Sequence, residues 1–200
     1  VSSWTLYTGF EPFGDVAYNP SWDVALSAAA VATEGHVTAA LRLPVTPCAW
    51  TRIEALARDL DERCGGVDLV ERRGRVVMFG VAANRKSIGV ERRAVNHGSG
   101  VDNNGEELPA IVSRGAPDER SSSIDVHALA RALGARASMD VEVSDDAGRY
   151  VCNWTYFKIL GWSSALAHRV DAVFIHVPAI TPDEAALLGR NCAHALSVEA

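Results

Sequence analysis

The stretch Ala172-Val173-Phe174-Ile175-His176-Val177-Pro178 constrains the fold most: it is apolar at nearly every position, carries one histidine and is closed by proline. A strand that alternates apolar and polar residues can leave one face in water. A strand apolar throughout must be covered on both faces, as in parallel sheets flanked by helices. Val76-Val77-Met78-Phe79, ending at Gly80, has the same character. The rest of the chain therefore has to supply helices for two sides of a sheet.

The pattern along the sequence meets that demand. Trp4 to Thr8 reads as a short strand, and Gly9-Phe10-Glu11-Pro12-Phe13-Gly14 as the loop that ends it. Pro20-Ser21-Trp22 opens a helix running to about Thr33, with Asp23 in its first turn, where a carboxylate complements the helix dipole. His36 to Leu43 is a second strand. Thr51 to Arg63 places Ile53, Leu56, Ala57 and Leu60 on one helical face. Ser87 to Val95 reads as extended, His97 to Gly105 as turn-rich and Arg114 to Ser123 as loop. Ile124 to Leu133 is a helix and Asp140 to Ser144 a strand. Val151 to about His168 is helical, with Gly161 and the following serines as breakpoints. Thr181-Pro182-Asp183-Glu184 carries a capping residue, Pro at the first helical position and acids behind it, so a last helix starts there. This alternation predicts one α/β domain over residues 1–200, a three-layer α/β/α sandwich around a mixed, mostly parallel twisted sheet.

Charge and cysteine usage narrow the class. The net charge is −6, which argues against a nucleic-acid partner, since such domains carry a basic surplus or stripe. The one basic cluster, Arg72, Arg73 and Arg75, is flanked by acids and reads as a solvated turn. No apolar run reaches the roughly 18 to 20 residues that span a bilayer, so no membrane partner is expected. Cys48, Cys64, Cys152 and Cys192 are scattered, without zinc spacing. Scattered thiols in a domain of this size point to a reducing compartment, and the N-terminus runs into a strand without a leader-like pattern. The expectation is a cytoplasmic protein; the Asn153-Trp154-Thr155 sequon is then a chance match.

Ligands of open α/β sheets bind where strands lead into loops at their carboxyl ends. That rule nominates the loop from Gly9 to Asn19, the loop after Phe79, the turn before Cys152 and the end of the strand carrying His176. Cys152 stands at the start of a predicted helix, where the dipole would lower its pKa and backbone N–H groups could hold an oxyanion. The same position suits an inert core cysteine equally well. His176 sits on a rigid platform fit for a general base, yet alone it reads as a satisfied core histidine. Glu91 would orient an imidazole from a neighbouring strand; alone it reads as a surface carboxylate paired with Arg92 or Arg93. The residues thus offer a Cys–His–carboxylate set, and spacing leaves open whether the three meet.

Four blocks resemble the pyroglutamyl peptidase I family of cysteine peptidases, also called pyrrolidone-carboxylate peptidases. They are Thr8-Gly9-Phe10-Glu11-Pro12-Phe13-Gly14 with Asn19-Pro20-Ser21-Trp22; Glu91-Arg92 with Ala94-Val95-Asn96; Ala147-Gly148-Arg149-Tyr150-Val151-Cys152-Asn153; and Phe174-Ile175-His176-Val177-Pro178. They occur in the family's order over nearly the whole chain. The resemblance implies a triad of Cys152, His176 and Glu91 that removes N-terminal pyroglutamate from a small peptide or amide through a thioester. It implies no metal or cofactor, and a homo-oligomer, dimer or tetramer. Phe10 and Phe13 would wall the lactam pocket, Asn19 would brace its loops, and Val81 and Val151 would line it.

The departures fall on that pocket. Where the family has Gly-Gln-Ala-Gly-Gly-Arg, this chain has Gly80-Val81-Ala82-Ala83-Asn84-Arg85, so Val81 replaces the glutamine near the lactam. The stretch from His97 to Gly105 is shorter than its family counterpart and lacks an arginine found there, Trp154 replaces a histidine, and an Arg-rich insertion precedes Val76. A spared triad beside an altered pocket predicts kept chemistry with retuned selectivity. Two other functions fit the residues less well: a Cys–His–Glu amidase or acyl-transfer enzyme acting on another acyl or lactam group, and a catalytically dead binding module.

Overall fold

The computed structural model describes residues 3–14, 17–64, 73–166 and 170–197. In chain order the elements are β1 (Ser3–Phe10), α1 (Pro20–Ala29), β2 (His36–Leu43), α2 (Ala49–Arg63), β3 (Arg73–Val81), β4 (Ile88–Glu91) and β5 (Arg93–Val95). There follow β6 (Glu119–Ser121), α3 (Val126–Gly134), β7 (Val141–Ser144), α4 (Val151–Ala165), β8 (Val170–Val177) and α5 (Pro182–Ser197). The main sheet has the order β2-β1-β3-β8-β4-β7, and β5 with β6 forms a separate two-stranded ribbon. Every neighbouring pair of the main sheet is parallel except β4 with β8. The sheet is therefore mixed and mostly parallel, as expected.

The two apolar runs explain its centre. In β3 and β8, Val76, Met78, Ala172 and Phe174 face one core, while Val77, Phe79, Val173 and Ile175 face the other. Helices α2 and α4 close the first core, and α1, α3 and α5 close the second. Three layers result because the apolar runs of the central strands must be covered on both faces.

Local chemistry sets the helix starts. Asn19 caps α1 by accepting from Ser21 N, ahead of Pro20 at the first position. Thr181 and Glu184 form a reciprocal box at α5, Glu184 Oε2 accepting from Thr181 N at 2.8 Å and Glu184 N donating to Thr181 Oγ1 at 3.4 Å. Three expectations need correction. Arg75 is part of β3, half-buried and donating to the Leu196 carbonyl at 2.9 Å, rather than in a solvated turn; Arg72 lies outside the described residues. Residues 119–121 are a strand, not loop, pairing with β5. Helix α4 runs unbroken through Gly161 because that glycine makes room for the Arg120 guanidinium, 1.8 Å from where a Cβ would sit. The far end expected for this helix, at His168, falls outside the described residues.

Candidate active site

The register of the central strands builds the site. Gly80 of β3 and Gly89 of β4 are both cross-strand partners of His176 on β8, so the imidazole stands between two glycines in one row. Each glycine clears a slot. A Cβ at Gly80 would lie 2.8 Å from Cys152 Sγ, and one at Gly89 would lie 2.3 Å from Arg85 Nη1. The thiol thus lies against the sheet on one side of the histidine and a guanidinium on the other.

Glu91 is completely buried and faces the same row from two residues further along β4. Its Oε1 accepts from His176 Nδ1 at 2.7 Å and from Arg85 Nη1 at 2.8 Å. The carboxylate acceptor assigns the proton to Nδ1 and leaves Nε2 as the basic nitrogen. The Phe174 ring packs on the imidazole, centroids 4.8 Å apart, and Tyr156 donates to the Glu91 carbonyl at 2.9 Å. Burial alone would raise the Glu91 carboxyl. The hydrogen bond and charge of His176, then a hydrogen bond from Ser144 and the charge of Arg85, outweigh it and hold the carboxyl below its ordinary value. Neither Arg92 nor Arg93 pairs with Glu91; they meet Asp145 and Glu119.

Cys152 occupies the first turn of α4 and is half-buried. Its thiol differs from expectation. Burial first, then the Glu91 charge, push its pKa up to about 12, and the backbone N–H at the helix start works the other way without prevailing. Burial and the Glu91 charge both favour the neutral thiol over the thiolate. The N-cap residue, Tyr150, makes no side-chain capping bond, so that side chain does not compete with an oxygen anion for the first-turn N–H groups.

Cys152 and His176 open into a cavity of about 110 Å³ whose wall includes Phe10, Phe13, Asn19, Val81 and Val151. Larger cavities lie beside His36 and Arg75, and beside Arg120, away from this chemistry. All eight residues singled out from the sequence are thus gathered at one place. Sequence reading missed Val45, Ala147 and Tyr150 in the wall. Val45 follows the carboxyl end of β2, where the strand-end rule would have placed it; Tyr150 adjoins Val151, and Ala147 lies in the same motif block as Cys152. The Tyr150 ring meets Phe13 at 5.9 Å, and its hydroxyl donates to the Val101 carbonyl at 2.7 Å.

The loops over the cavity are pinned from below. Asn19 Nδ2 donates to the Glu11 carbonyl at 3.0 Å, and its Oδ1 accepts from Ser21 N and Oγ at 3.1 and 2.7 Å. Every polar atom of that side chain is thereby engaged. Asn103 N reaches the Val45 carbonyl at 3.0 Å, and its side chain donates to Glu11 Oε1 and the Pro12 carbonyl at 3.1 and 3.0 Å. Asn153 ties α4 to β5 and the loop beyond, exchanging bonds of 2.9 Å with Val95 and donating to the His97 carbonyl. Among the described residues no group of His, Cys, Asp and Glu could hold a metal ion, and no helix is long and apolar enough to cross a membrane.

Comparison with known proteins places the chain among relatives. The sequence model described as pyroglutamyl peptidase matches residues 4–200. A pyrrolidone-carboxylate peptidase of Gloeobacter violaceus is 36% identical over 183 residues, covering 90% of this chain and 83% of that protein. One of Thermococcus kodakarensis is 36% identical over 178 residues, covering 86% and 80%. In structure, the pyrrolidone carboxyl peptidase from Thermococcus litoralis superposes with a TM-score of 0.83 at 24% identity, covering 100% of this chain and 93% of that one. The pyroglutamyl peptidase I from Bacillus amyloliquefaciens gives 0.80 at 20% identity, covering 98% and 96%. At such identities the structural likeness speaks for the fold.

Proposed function

The chain belongs to the pyroglutamyl peptidase family and is a cysteine peptidase, and from that premise we propose that it removes N-terminal pyroglutamate with Cys152 as nucleophile, His176 as base and Glu91 as its orienting carboxylate. The carrying observation is the row Gly80–His176–Gly89, with the thiol seated over one glycine and a buried carboxylate holding Nδ1. Family membership favours the pyroglutamyl amide over another acyl amide and weighs against a dead binding module.

The lactam ring enters the apolar cavity between Phe10, Phe13 and Tyr150 and brings its exocyclic carbonyl carbon to the thiol. His176 Nε2 takes the thiol proton as sulfur attacks, and the Glu91 carboxylate stabilises the imidazolium that forms. The carbonyl oxygen becomes an anion facing the N–H groups at the start of α4. When the tetrahedral centre collapses, the C–N bond breaks, the imidazolium protonates the departing amine, and a thioester remains. Water, deprotonated by His176, then attacks the thioester; pyroglutamate leaves and the thiol is restored. Val81 and Val45 offer the ring no side-chain partner, which leaves its polar edge to backbone groups.

The test is release of a fluorogenic amine from its pyroglutamyl amide. Wild-type protein turns over, and Cys152→Ala loses at least about 10³ of kcat with an unchanged circular dichroism spectrum. Turnover retained by the variant, or absent from the wild type, sinks the assignment. Scattered thiols support a cytoplasmic location. Exposed Leu26 on α1 and Leu187 on α5 supply apolar surface for a homo-oligomer, dimer or tetramer, and a monomer in sedimentation at micromolar concentration would rule that out.

A further inference from the structure

The Arg85 guanidinium is not accounted for by the chemistry above, yet three bonds place it. Nη1 donates to Glu91 Oε1 at 2.8 Å. Nη2 donates to Ser144 Oγ at 3.3 Å and to the Asp146 carbonyl at 2.6 Å. One side chain therefore spans the carboxylate on β4, the end of β7, and the turn from which α4 and Cys152 depart. The space it occupies exists because residue 89 is glycine, since a Cβ there would stand 2.3 Å from Nη1 and 3.4 Å from Glu91 Oε1. That slot mirrors the one Gly80 opens for the thiol, across the same histidine.

We propose that Arg85, seated over Gly89, is a positioning residue of the catalytic set: it fixes Glu91 against His176, shares its charge, and holds the turn before Cys152. The inference rests on the reading that Cys152, His176 and Glu91 carry the reaction. Its physical content lies in the single oxygen, Glu91 Oε1, that serves both donors. Among the described residues Glu91 Oε2 is buried without a hydrogen-bond partner within bonding distance, and Ser144, itself bonded to Arg85, is the other hydroxyl that acts on the carboxylate, so two donors at Oε1 fix the side chain better than one.

The charge has a direction. With Arg85 present, the buried carboxylate has a permanent counter-ion even while the imidazole is neutral. Without it, Glu91 would be a buried anion beside a neutral ring, and the pair would take up a proton at higher pH. Arg85 thereby gives the Glu91 carboxylate a counter-charge that does not depend on the protonation of its ring partner. The titratable and charged groups facing the pair are Arg85 itself, Cys152 and Tyr156 of α4, and, beyond Arg85, Asp146 paired with Arg149. Among the described residues none of the others is a cation bound to Glu91, so none of them substitutes when Arg85 is removed. Tyr156 meets Glu91 at its backbone carbonyl.

Two variants test this, because either alone could act through folding. Arg85→Gln removes the charge. Gly89→Ala keeps the arginine but fills its slot, and the obstructing atom is the far end of a flexible side chain, so the backbone is spared. In both, kcat on the pyroglutamyl amide should fall about tenfold or more with KM within about twofold. The acid limb of kcat/KM should move up by about one pH unit, and Arg85→Lys should restore the limb. NMR of ring-labelled histidine, which needs no substrate, should show the His176 midpoint rising by a similar amount in Arg85→Gln. A uniform loss of activity at every pH, with His176 titrating as in the wild type, would mean a structural role and overturn the proposal. Unchanged kinetics would overturn it too. If the wild type fails to release the amine, the substrate assignment fails, and the His176 titration still decides on Arg85.

Discussion

A glycine in the interior of a strand normally weakens it, since it adds entropy to the unfolded chain and packs nothing. At Gly80 the missing side chain is the reason the site exists: a Cβ would sit 2.8 Å from Cys152 Sγ and 2.7 Å from the Phe174 ring. Gly80→Ala should therefore displace the thiol from the histidine. A shift of about 1 Å costs on the order of 100-fold in rate, and crowding the Phe174 ring costs about 1–3 kcal/mol of stability. Steady-state kinetics well below the melting temperature separate the two effects; a variant with wild-type kcat would show that the contact does not aim the nucleophile. At this scale the candidate set of Cys152, His176 and Glu91 was named through the family resemblance, because each stands in one of its motifs, while spacing alone left open that the three meet. Arg85 was not named. Its partner becomes known only once β4 lies beside β8, and no local pattern announces that pairing. The thiol's raised pKa was misread for a similar reason: a helix start can be seen in sequence, but the burial and the facing carboxylate that outweigh it cannot.

Between elements, α1 and α5 approach closely. Gly189 brings them together, since a Cβ there would meet the Val24 carbonyl oxygen at 2.3 Å and Ala28 N at 2.9 Å, both backbone atoms that cannot swing aside. In an isolated helix, Gly to Ala would gain about 1 kcal/mol. Here the overpacking reverses the sign, and Gly189→Ala should lose about 1–3 kcal/mol. Thermal or urea unfolding measures it, and a stabilised variant would show that the helices can part freely. Because α5 covers the face opposite α4, kcat of the folded variant should stay within about twofold of the wild type. The same contrast explains what could be read of the elements. β2 was read from His36 to Leu43 and is found there, because its alternation and flanking prolines are local signals. β6 escaped, since Glu119-Arg120-Ser121 carries no apolar pattern and is a strand only by pairing with β5. The antiparallel insertion of β4 beside β8 is likewise a fact of long-range register, although the need for helices on both faces followed from the apolar runs alone.

Over the whole molecule, the two cores bury several protons that ionise only at high pH. Cys152 is raised to about 12, chiefly by burial and then by Glu91. Cys192 is raised by burial, Tyr7 by burial and the nearby Cys192, and Tyr156 chiefly by burial. In the unfolded chain these groups release their protons near their ordinary values, about 8.5 for a thiol and about 10 for a phenol. The folded chain retains them. Above about pH 8.5 the unfolded state therefore binds fewer protons than the folded one, and unfolding free energy falls as pH rises. Their contribution is complete below the unfolded pKa values and is lost upward through the folded ones. Each group adds a slope of up to about 1.4 kcal/mol per pH unit once its unfolded pKa is passed. The melting temperature should thus hold between pH 7 and 8 and drop with increasing steepness from pH 9 to 11. Cys192→Ala loses stability at pH 7 through its cavity, but it should lose less than the wild type does on going from pH 8 to 10, because one of the retained protons is gone. The informative quantity is that difference in slope. Parallel melting curves for the two proteins across the range would mean that the buried thiol does not couple folding to pH.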